Sequence, residues 1–171
     1  MSMKNNIAIY IIQFIVLVLF QVLILNNIQL NGYINPYLYI LFIITLPFET
    51  NFSLVMVLGF FLGLSVDMFS NTMGMHAAAT VVMSFSRPAF IRLLIPKNDF
   101  DAFPQPTLKE LGLSRFVSFA LFLTLIHHFA LFFIEVFKIN FFFSTFFRVI
   151  ASSIFTILLI IFVQYLFAKK K

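Results

Sequence analysis

The sequence predicts an all-α protein whose helices cross a membrane about six times. Hydrophobic residues make up 62% of its 171 residues and charged residues only 10%, whereas a soluble domain is about half apolar and a quarter charged. Several apolar segments approach the length of about 20 helical residues that crosses a bilayer. The chain is long enough for one domain, so we expect a single integral membrane domain over 1–171.

The predicted transmembrane helices cover residues 7–25, 34–48, 51–69, 74–95, 114–137 and 144–168. The first is interpreted as a retained helix, because no small-residue cleavage site of a signal peptide follows it. The second begins at Asn35-Pro36, where asparagine suits the N-cap and proline the first helical position. It is short for a span, so we expect local thinning of the bilayer or a continuation past Pro47. In the fourth, Pro88 is expected to kink or end the helix.

The stretch 96–113 is predicted to be a cytoplasmic loop. It carries three prolines and five charged residues, and prolines discourage a continuous helix. Its apolar residues Phe100, Phe103 and Leu108 are expected either to dock on a cytoplasmic partner or to fold back on the helix bundle.

Positive charges predict the orientation of the helices. With six helices and cytoplasmic termini, all Lys and Arg residues except Lys138 and Arg148 fall on the cytoplasmic side. The loops 26–33 and 70–75 carry no charge. Cytoplasmic loops are enriched in Lys and Arg, so we expect both termini in the cytoplasm.

A glycine motif marks the third predicted helix. Gly59, Gly63 and Asp67 recur every four residues, so they lie along one helix face. Glycines at this spacing let another backbone approach closely, and we expect a helix contact here, within the chain or on a partner. A carboxylate such as Asp67 is costly in lipid, so it either reaches the membrane surface or has a structural or partner-binding role.

Polar stripes on two helices are expected to point into the bundle, because lipid offers no hydrogen bonds. The stripe on the fourth helix contains His76, Thr80, Ser84 and Arg87, and that on the sixth contains Thr145, Arg148, Ser152 and Thr156. Asp67 and His76 flank the same turn, which predicts a carboxylate–imidazole contact between the third and fourth helices. A metal or proton site is the alternative, although one Asp and one His form a poor metal shell.

Two further pairs of polar residues lie in the second half of the chain. Glu135 lies across a short turn from Arg148, which predicts an ion pair within the membrane protein. His127 and His128 are adjacent, so their rings point about 100° apart on a helix and do not chelate one ion together. At least one of them is expected to be a hydrogen-bonded residue of the bundle.

The motifs of common enzymes are absent. The sequence has no HExxH, no nucleophile elbow and no glycine-rich phosphate loop, and no pair of carboxylates is placed for acid–base catalysis. The lack of cysteine excludes thiolate metal sites. We therefore expect a non-enzymatic protein with no catalytic residue, cofactor or metal. The net charge of +5 comes from helix ends and loops, which favours contact with membrane lipid and not with nucleic acid.

The motif residues resemble the rod shape-determining MreD family. The resemblance is carried by Asn35-Pro36, by Gly59-Phe60-x-x-Gly63-Leu64-x-x-Asp67, and by Ser70 followed by Gly74-x-His76-Ala77. The helix number, the chain length and the basic C-terminus also fit. The second half of the chain carries no motif of the family, and the stretch 96–113 is longer than the family pattern suggests.

The resemblance implies a scaffold subunit of the bacterial cell-elongation machinery in the cytoplasmic membrane. Such proteins bind MreC and help to couple MreB filaments to the peptidoglycan synthases, RodA and its transpeptidase. The resemblance also implies a fold similar to the substrate-binding subunits of energy-coupling-factor transporters. That relation supplies the alternative function, a six-helix subunit that binds a small vitamin-type molecule.

Two groups of candidate residues follow. The helix-packing or partner-binding candidates are Asn35, Pro36, Gly59, Gly63, Asp67, Gly74 and His76. The polar candidates inside the bundle are Thr80, Ser84, Arg87, Glu135 and Arg148.

Overall fold

The structure is a computed structural model that describes residues 3–28, 34–94, 104–136 and 142–167, with side chains described from residue 7 onward. The described α-helices are α1 (Met3–Leu23), α2 (Leu41–Thr45), α3 (Phe52–Ser70), α4 (Met75–Leu94), α5 (Leu108–Val136) and α6 (Phe142–Phe167). All except α2 are long and apolar enough to cross a membrane. The predicted all-α class is confirmed, and five of the six predicted spans correspond to helices of this kind.

The start of α3 and the turn between α3 and α4 both fit the sequence closely. The Asn51 side chain accepts a hydrogen bond from the Ser53 N–H at 2.9 Å and so caps the start of α3. After α3, Asn71 adopts a left-handed conformation with φ of 54° and Gly74 has φ of 79°. Asparagine and glycine tolerate this conformation better than other residues. The chain therefore reverses within four residues, and α4 packs back along α3.

The expected long helix over 34–48 is wrong. Only Leu41–Thr45 is α-helical, after a 3₁₀ turn at Leu38–Ile40. Residues 35–37 have no helical conformation, so Asn35-Pro36 does not open a helix. The segment lies inside the protein and not against lipid, because Tyr39, Ile40, Ile43 and Ile44 are completely buried.

Residues 34–48 are called the irregular segment, and side chains of α1 and α6 explain its conformation. The main-chain N–H of Asn35 donates to Ser152 Oγ at 3.2 Å, that of Tyr37 to Thr156 Oγ1 at 3.1 Å, and that of Leu38 to Gln21 Oε1 at 2.8 Å. Non-helical backbone is tolerated at membrane depth only where protein or water satisfies its polar groups. These three side chains supply the acceptors that a helix would otherwise provide.

The irregular segment still carries the chain from one end of the bundle to the other. It lies antiparallel to α1, with Leu38 bonded to Gln21 near one end and Thr45 bonded to Gln13 at 3.0 Å near the other. The segment therefore joins the two ends of the bundle although its α-helix has only five residues.

The described start of α1 and the described end of α6 lie at the same end of the bundle. Gln105 Nε2 donates to Tyr10 Oη at 2.8 Å, and the Leu108 N–H donates to Gln164 Oε1 at 3.2 Å. The start of α5 thus contacts an early turn of α1 and a late turn of α6.

Helix α4 continues past Pro88 to Leu94, in agreement with the predicted range 74–95, so the proline does not end it. The described part of the predicted loop 96–113 packs on the bundle: Leu108 and Leu111 are helical and buried, and the helix axis breaks only at Gly112, with φ of 75°. Phe100 and Phe103 lie outside the described residues.

Candidate functional site

The glycine face of α3 meets α4 of the same chain. A Cβ on Gly63 would lie 2.6 Å from the main-chain nitrogen of Ala77 and against the carbonyl of His76. A Cβ on Gly59 would lie against Ser84 Oγ and 3.3 Å from the Thr80 carbonyl oxygen. The expected close contact therefore forms inside this chain, with backbone against backbone at Gly63.

Asp67 joins the end of α3 to the start of α4. Its Oδ1 accepts from the main-chain N–H of His76 at 3.1 Å, and its Oδ2 accepts from that of Ala77 at 2.9 Å. The hydroxyl of Thr72 donates to the same carboxylate. A carboxylate suits a helix N-terminus, where N–H groups have no partner in the helix.

The predicted carboxylate–imidazole bond between Asp67 and His76 is thus corrected. The carboxylate is bonded to the His76 main chain, while Nδ1 of the His76 ring lies 3.0 Å from Tyr39 Oη. Asp67 is 3% exposed, so it is not a residue that reaches the membrane surface. The contact still holds α3 and α4 together, but through main-chain amides.

Tyr39 lies at the centre of a buried polar cluster. Its hydroxyl is 2.7 Å from His127 Nε2, 3.0 Å from His76 Nδ1 and 3.4 Å from Thr80 Oγ1. All four residues are buried, and Tyr39, Thr80 and His127 are completely so. The irregular segment therefore places one phenol where α4 and α5 both contact it.

The hydrogen bonds of His128 indicate which of its ring nitrogens carries the hydrogen. Its Nδ1 lies 2.9 Å from the Thr124 carbonyl oxygen, which only accepts, so Nδ1 carries the hydrogen. In an uncharged ring, Nε2 then accepts, here from Thr156 Oγ1 at 3.1 Å. His127 Nδ1 lies 3.4 Å from the same Nδ1–H group. Both adjacent histidines are thus hydrogen-bonded, where the sequence predicts at least one.

Arg87 stabilises the carbonyl end of α2. Its guanidinium donates to the carbonyl oxygens of Leu46 and Pro47, the second at 3.4 Å, although it is only 2% exposed. A helix end leaves carbonyl groups without helical partners, and a cation there is favourable. The polar stripe of α4 therefore points into the bundle as predicted, and its last member holds the irregular segment in place.

The predicted ion pair between α5 and α6 forms. Arg148 Nη1 lies 2.9 Å from Glu135 Oε2, and the guanidinium carbon lies 4.1 Å from the centre of the Phe132 ring. In the amide orientation that satisfies both of its polar atoms, the Asn35 oxygen accepts from Arg148 Nη2 at 3.2 Å. Asn35 therefore binds α6 and does not cap a helix.

A cavity of about 570 Å³ opens beside Asn35, Glu135 and Arg148. It lies at the end of the bundle opposite the start of α1 and the end of α6. Its polar lining includes Asn26, Asn35, His76, Glu135 and Arg148. Small-molecule sites have volumes of about 300–1,000 Å³. Of the predicted candidates, Asn35, His76, Glu135 and Arg148 therefore meet at this cavity. Thr80, Ser84 and Arg87 do not line it.

Compared with models of protein families, with curated proteins and with solved structures, the chain matches none of them.

Three residues that organise the site were not predicted from the sequence. Gln21 bonds the Pro36 carbonyl and the Leu38 main-chain N–H, Tyr37 lines the cavity, and Tyr39 connects the histidines. A signal for Gln21 existed, since it is an amide within an apolar helix and polar groups in such helices face protein. The sequence offers no such signal for Tyr37 and Tyr39, because tyrosine is also common at membrane surfaces. Pro36 and Gly74 contribute a carbonyl acceptor and a turn conformation, respectively.

Proposed function

We propose that this chain is a non-enzymatic scaffold subunit of the bacterial cell-elongation machinery, of the MreD type. Its direct partner is MreC, with MreB filaments, RodA and the elongation transpeptidase in the same complex. It resides in the cytoplasmic membrane. The observation that carries the proposal is the α3–α4 joint, in which the residues of the family motif make their contacts with one another.

The joint supports the proposal because the motif residues of α3 and α4 form one structural unit. Gly63 lies against the backbone of His76 and Ala77, and Asp67 accepts from the main-chain amides of the same two residues. Asn35 and Pro36, the other part of the motif, lie outside this helix pair, and Asn35 contacts Arg148 of α6.

The joint also restricts how a partner binds. Gly59, Gly63 and Asp67 are buried inside the chain, so a partner does not contact them and instead uses the outer faces of the helices. On α3 the outer face carries large exposed side chains such as Leu54, Phe61 and Met68. The motif therefore acts on partner binding by holding α3 in position.

The proposed orientation has both termini in the cytoplasm. The described start of α1 and the described end of α6 lie together, and Arg87 and Lys109 lie toward that end among the described residues. Cytoplasmic segments carry the excess of positive charge. MreC, whose bulk lies outside the cytoplasmic membrane, then meets this chain through its membrane part and its outer end.

Clean deletion of the gene in its own host tests the proposal. A scaffold of the elongation machinery is needed for elongation, so rod-shaped cells should become round and osmotically fragile. Expression of the parent chain in trans should restore cell width. Deleted cells of normal width would contradict the scaffold function and would favour the transporter alternative.

The alternative, a substrate-binding subunit of a transporter, has one observation in its favour, which is the polar cavity. It requires an ATPase module as a partner. Co-purification of such an ATPase in place of MreC distinguishes the two functions.

A further inference from the structure

The cavity opposite the described ends of α1 and α6 has polar walls contributed by elements far apart in the sequence. Asn26 follows α1, Asn35 belongs to the irregular segment, His76 begins α4, and Glu135 and Arg148 come from α5 and α6. Cavities in an apolar helix bundle that bring several polar groups together are typical of small-molecule sites.

Most of these polar groups are already held in place. Asn26 Nδ2 donates to Ser70 Oγ at 2.9 Å and Asn26 Oδ1 accepts from Gln21 Nε2 at 2.9 Å. The carboxylate of Glu135 bonds Arg148 at 2.9 Å. A site whose side chains are fixed by other bonds binds with little loss of side-chain entropy.

One polar atom at the cavity has no such partner. His76 is 5% exposed and lines the cavity, and its Nδ1 is bonded to Tyr39 Oη at 3.0 Å. Its Nε2 has no hydrogen-bond partner among the residues that the structure describes, and it is not one of the fully buried polar atoms. Nε2 is therefore open to a hydrogen bond with a molecule in the cavity.

The hydrogen-bond cluster determines what Nε2 offers. His128 Nδ1–H also lies 3.4 Å from His127 Nδ1, and we assign His127 Nδ1 as the acceptor in this contact. In an uncharged ring, His127 Nε2–H then donates to Tyr39 Oη. The Tyr39 hydroxyl then donates to His76 Nδ1. The uncharged His76 ring consequently carries its hydrogen on Nε2 and presents a donor to the cavity.

The charges of the cavity favour an uncharged ligand. Among the described lining residues, Glu135 carries the one carboxylate and Arg148 the one guanidinium, and the two are paired. A charged ligand would be attracted by one member of the pair and repelled by the other, so it would gain little from the pair and would lose its hydration on entering. A neutral molecule meets neither penalty.

We propose that this cavity binds a small, uncharged, polar molecule that accepts a hydrogen bond from His76 Nε2–H. The site is separate from the scaffold function, because the lining residues belong to this chain alone and binding needs no partner protein.

The test compares tryptophan substitutions that differ only in their position relative to the cavity. Val22 lines the cavity, whereas Leu23, its neighbour on α1, is 66% exposed and faces away. Val22→Trp fills the cavity and Leu23→Trp is the matched control. Met75→Trp and its exposed control Met73→Trp form a second pair, which serves if the first cavity variant does not fold by circular dichroism.

Each purified chain is analysed in mild detergent by native mass spectrometry and by thermal unfolding with adenosine, uridine, N-acetylglucosamine and adenosine monophosphate as probes. We expect the parent and the control to carry a small uncharged compound or to unfold several degrees higher with an uncharged probe. The cavity variant should do neither. For the bound compound or probe, His76→Phe, which lacks the ring donor, should raise the Kd about tenfold or more.

Three results would overturn the proposal. The first is a parent chain with no bound small compound and no stabilisation by any uncharged probe. The second is equal binding in the cavity variant and its control. The third is a preference for charged ligands, seen as recovery of phospholipid alone or as equal stabilisation by adenosine and its monophosphate. None of these depends on MreC or on cell shape, so they leave the scaffold proposal unaffected.

Discussion

The Asp67 carboxylate and the Ala77 main-chain N–H are 2.9 Å apart, which fixes the last turn of α3 to the first turn of α4. The same carboxylate accepts from the His76 N–H at 3.1 Å. One buried acidic side chain therefore satisfies two amides at a helix start that lipid would leave without partners.

Asp67→Asn should destabilise the protein by about 1–3 kcal/mol, because an amide replaces one acceptor oxygen with a donor that faces N–H groups. The measurement is thermal unfolding in detergent followed by circular dichroism. Glu49→Gln is the control, since Glu49 is exposed and the substitution makes the same chemical change. Equal midpoints for the two variants would show that the carboxylate does not hold the helix start.

Gly63→Ala should be more destabilising than Gly59→Ala. At Gly63 the added Cβ meets backbone atoms of His76 and Ala77, which cannot rotate away. At Gly59 its closest neighbour is the Ser84 hydroxyl, a side chain that can change rotamer. Overpacking of a core typically costs about 1–3 kcal/mol, and we expect Gly63→Ala to reach that range. A ranking in the opposite order by unfolding midpoint contradicts the α3–α4 geometry.

Tyr39→Phe should destabilise the bundle by about 1–3 kcal/mol, because His76 Nδ1 and His127 Nε2 lose their shared partner while remaining buried. Tyr165→Phe removes the same hydroxyl from a residue that is 58% exposed on α6, and it should have little effect. The two variants are compared in one thermal series. Similar midpoints would mean that the phenol does not bridge the histidines.

Reporter fusions test the proposed orientation. Fusions after Gly32, Asn71 and Asn140 should report the outside of the cytoplasmic membrane, and fusions after Gln105 and at the C-terminus should report the cytoplasm. The reason is that the irregular segment crosses the bundle although it contains only a short helix, so the sides still alternate. Activity of the C-terminal fusion outside the membrane would contradict an even number of crossings with a cytoplasmic start.

Apolar length and polar spacing predicted much of the fold. Five predicted spans correspond to long helices, and the stripe from His76 to Arg87 is buried because polar groups in lipid need protein partners. The Glu135–Arg148 pair was also predictable, since only a short turn separates the two residues.

Local sequence patterns do not predict the irregular segment or the cavity. Asn35-Pro36 has the local signature of a helix start, and nothing near it in the sequence reveals that Ser152, Thr156 and Gln21 accept the hydrogen bonds of this segment. The cavity likewise arises only when several distant elements meet. The partner of Asp67 was misassigned because residue spacing does not distinguish the His76 ring from its main chain.

Co-purification with MreC tests the central claim most directly. The tagged parent chain, Gly63→Leu and the control Phe162→Leu are expressed at equal membrane levels in the host and extracted in mild detergent, and the recovered MreC is quantified by mass spectrometry. Phe162 is 60% exposed on α6, away from the outer face of α3, whereas a leucine at Gly63 would collide with the α4 backbone. We expect that the parent recovers MreC, that Phe162→Leu recovers a similar amount, and that Gly63→Leu recovers much less. A parent chain that recovers no MreC would contradict the proposed function.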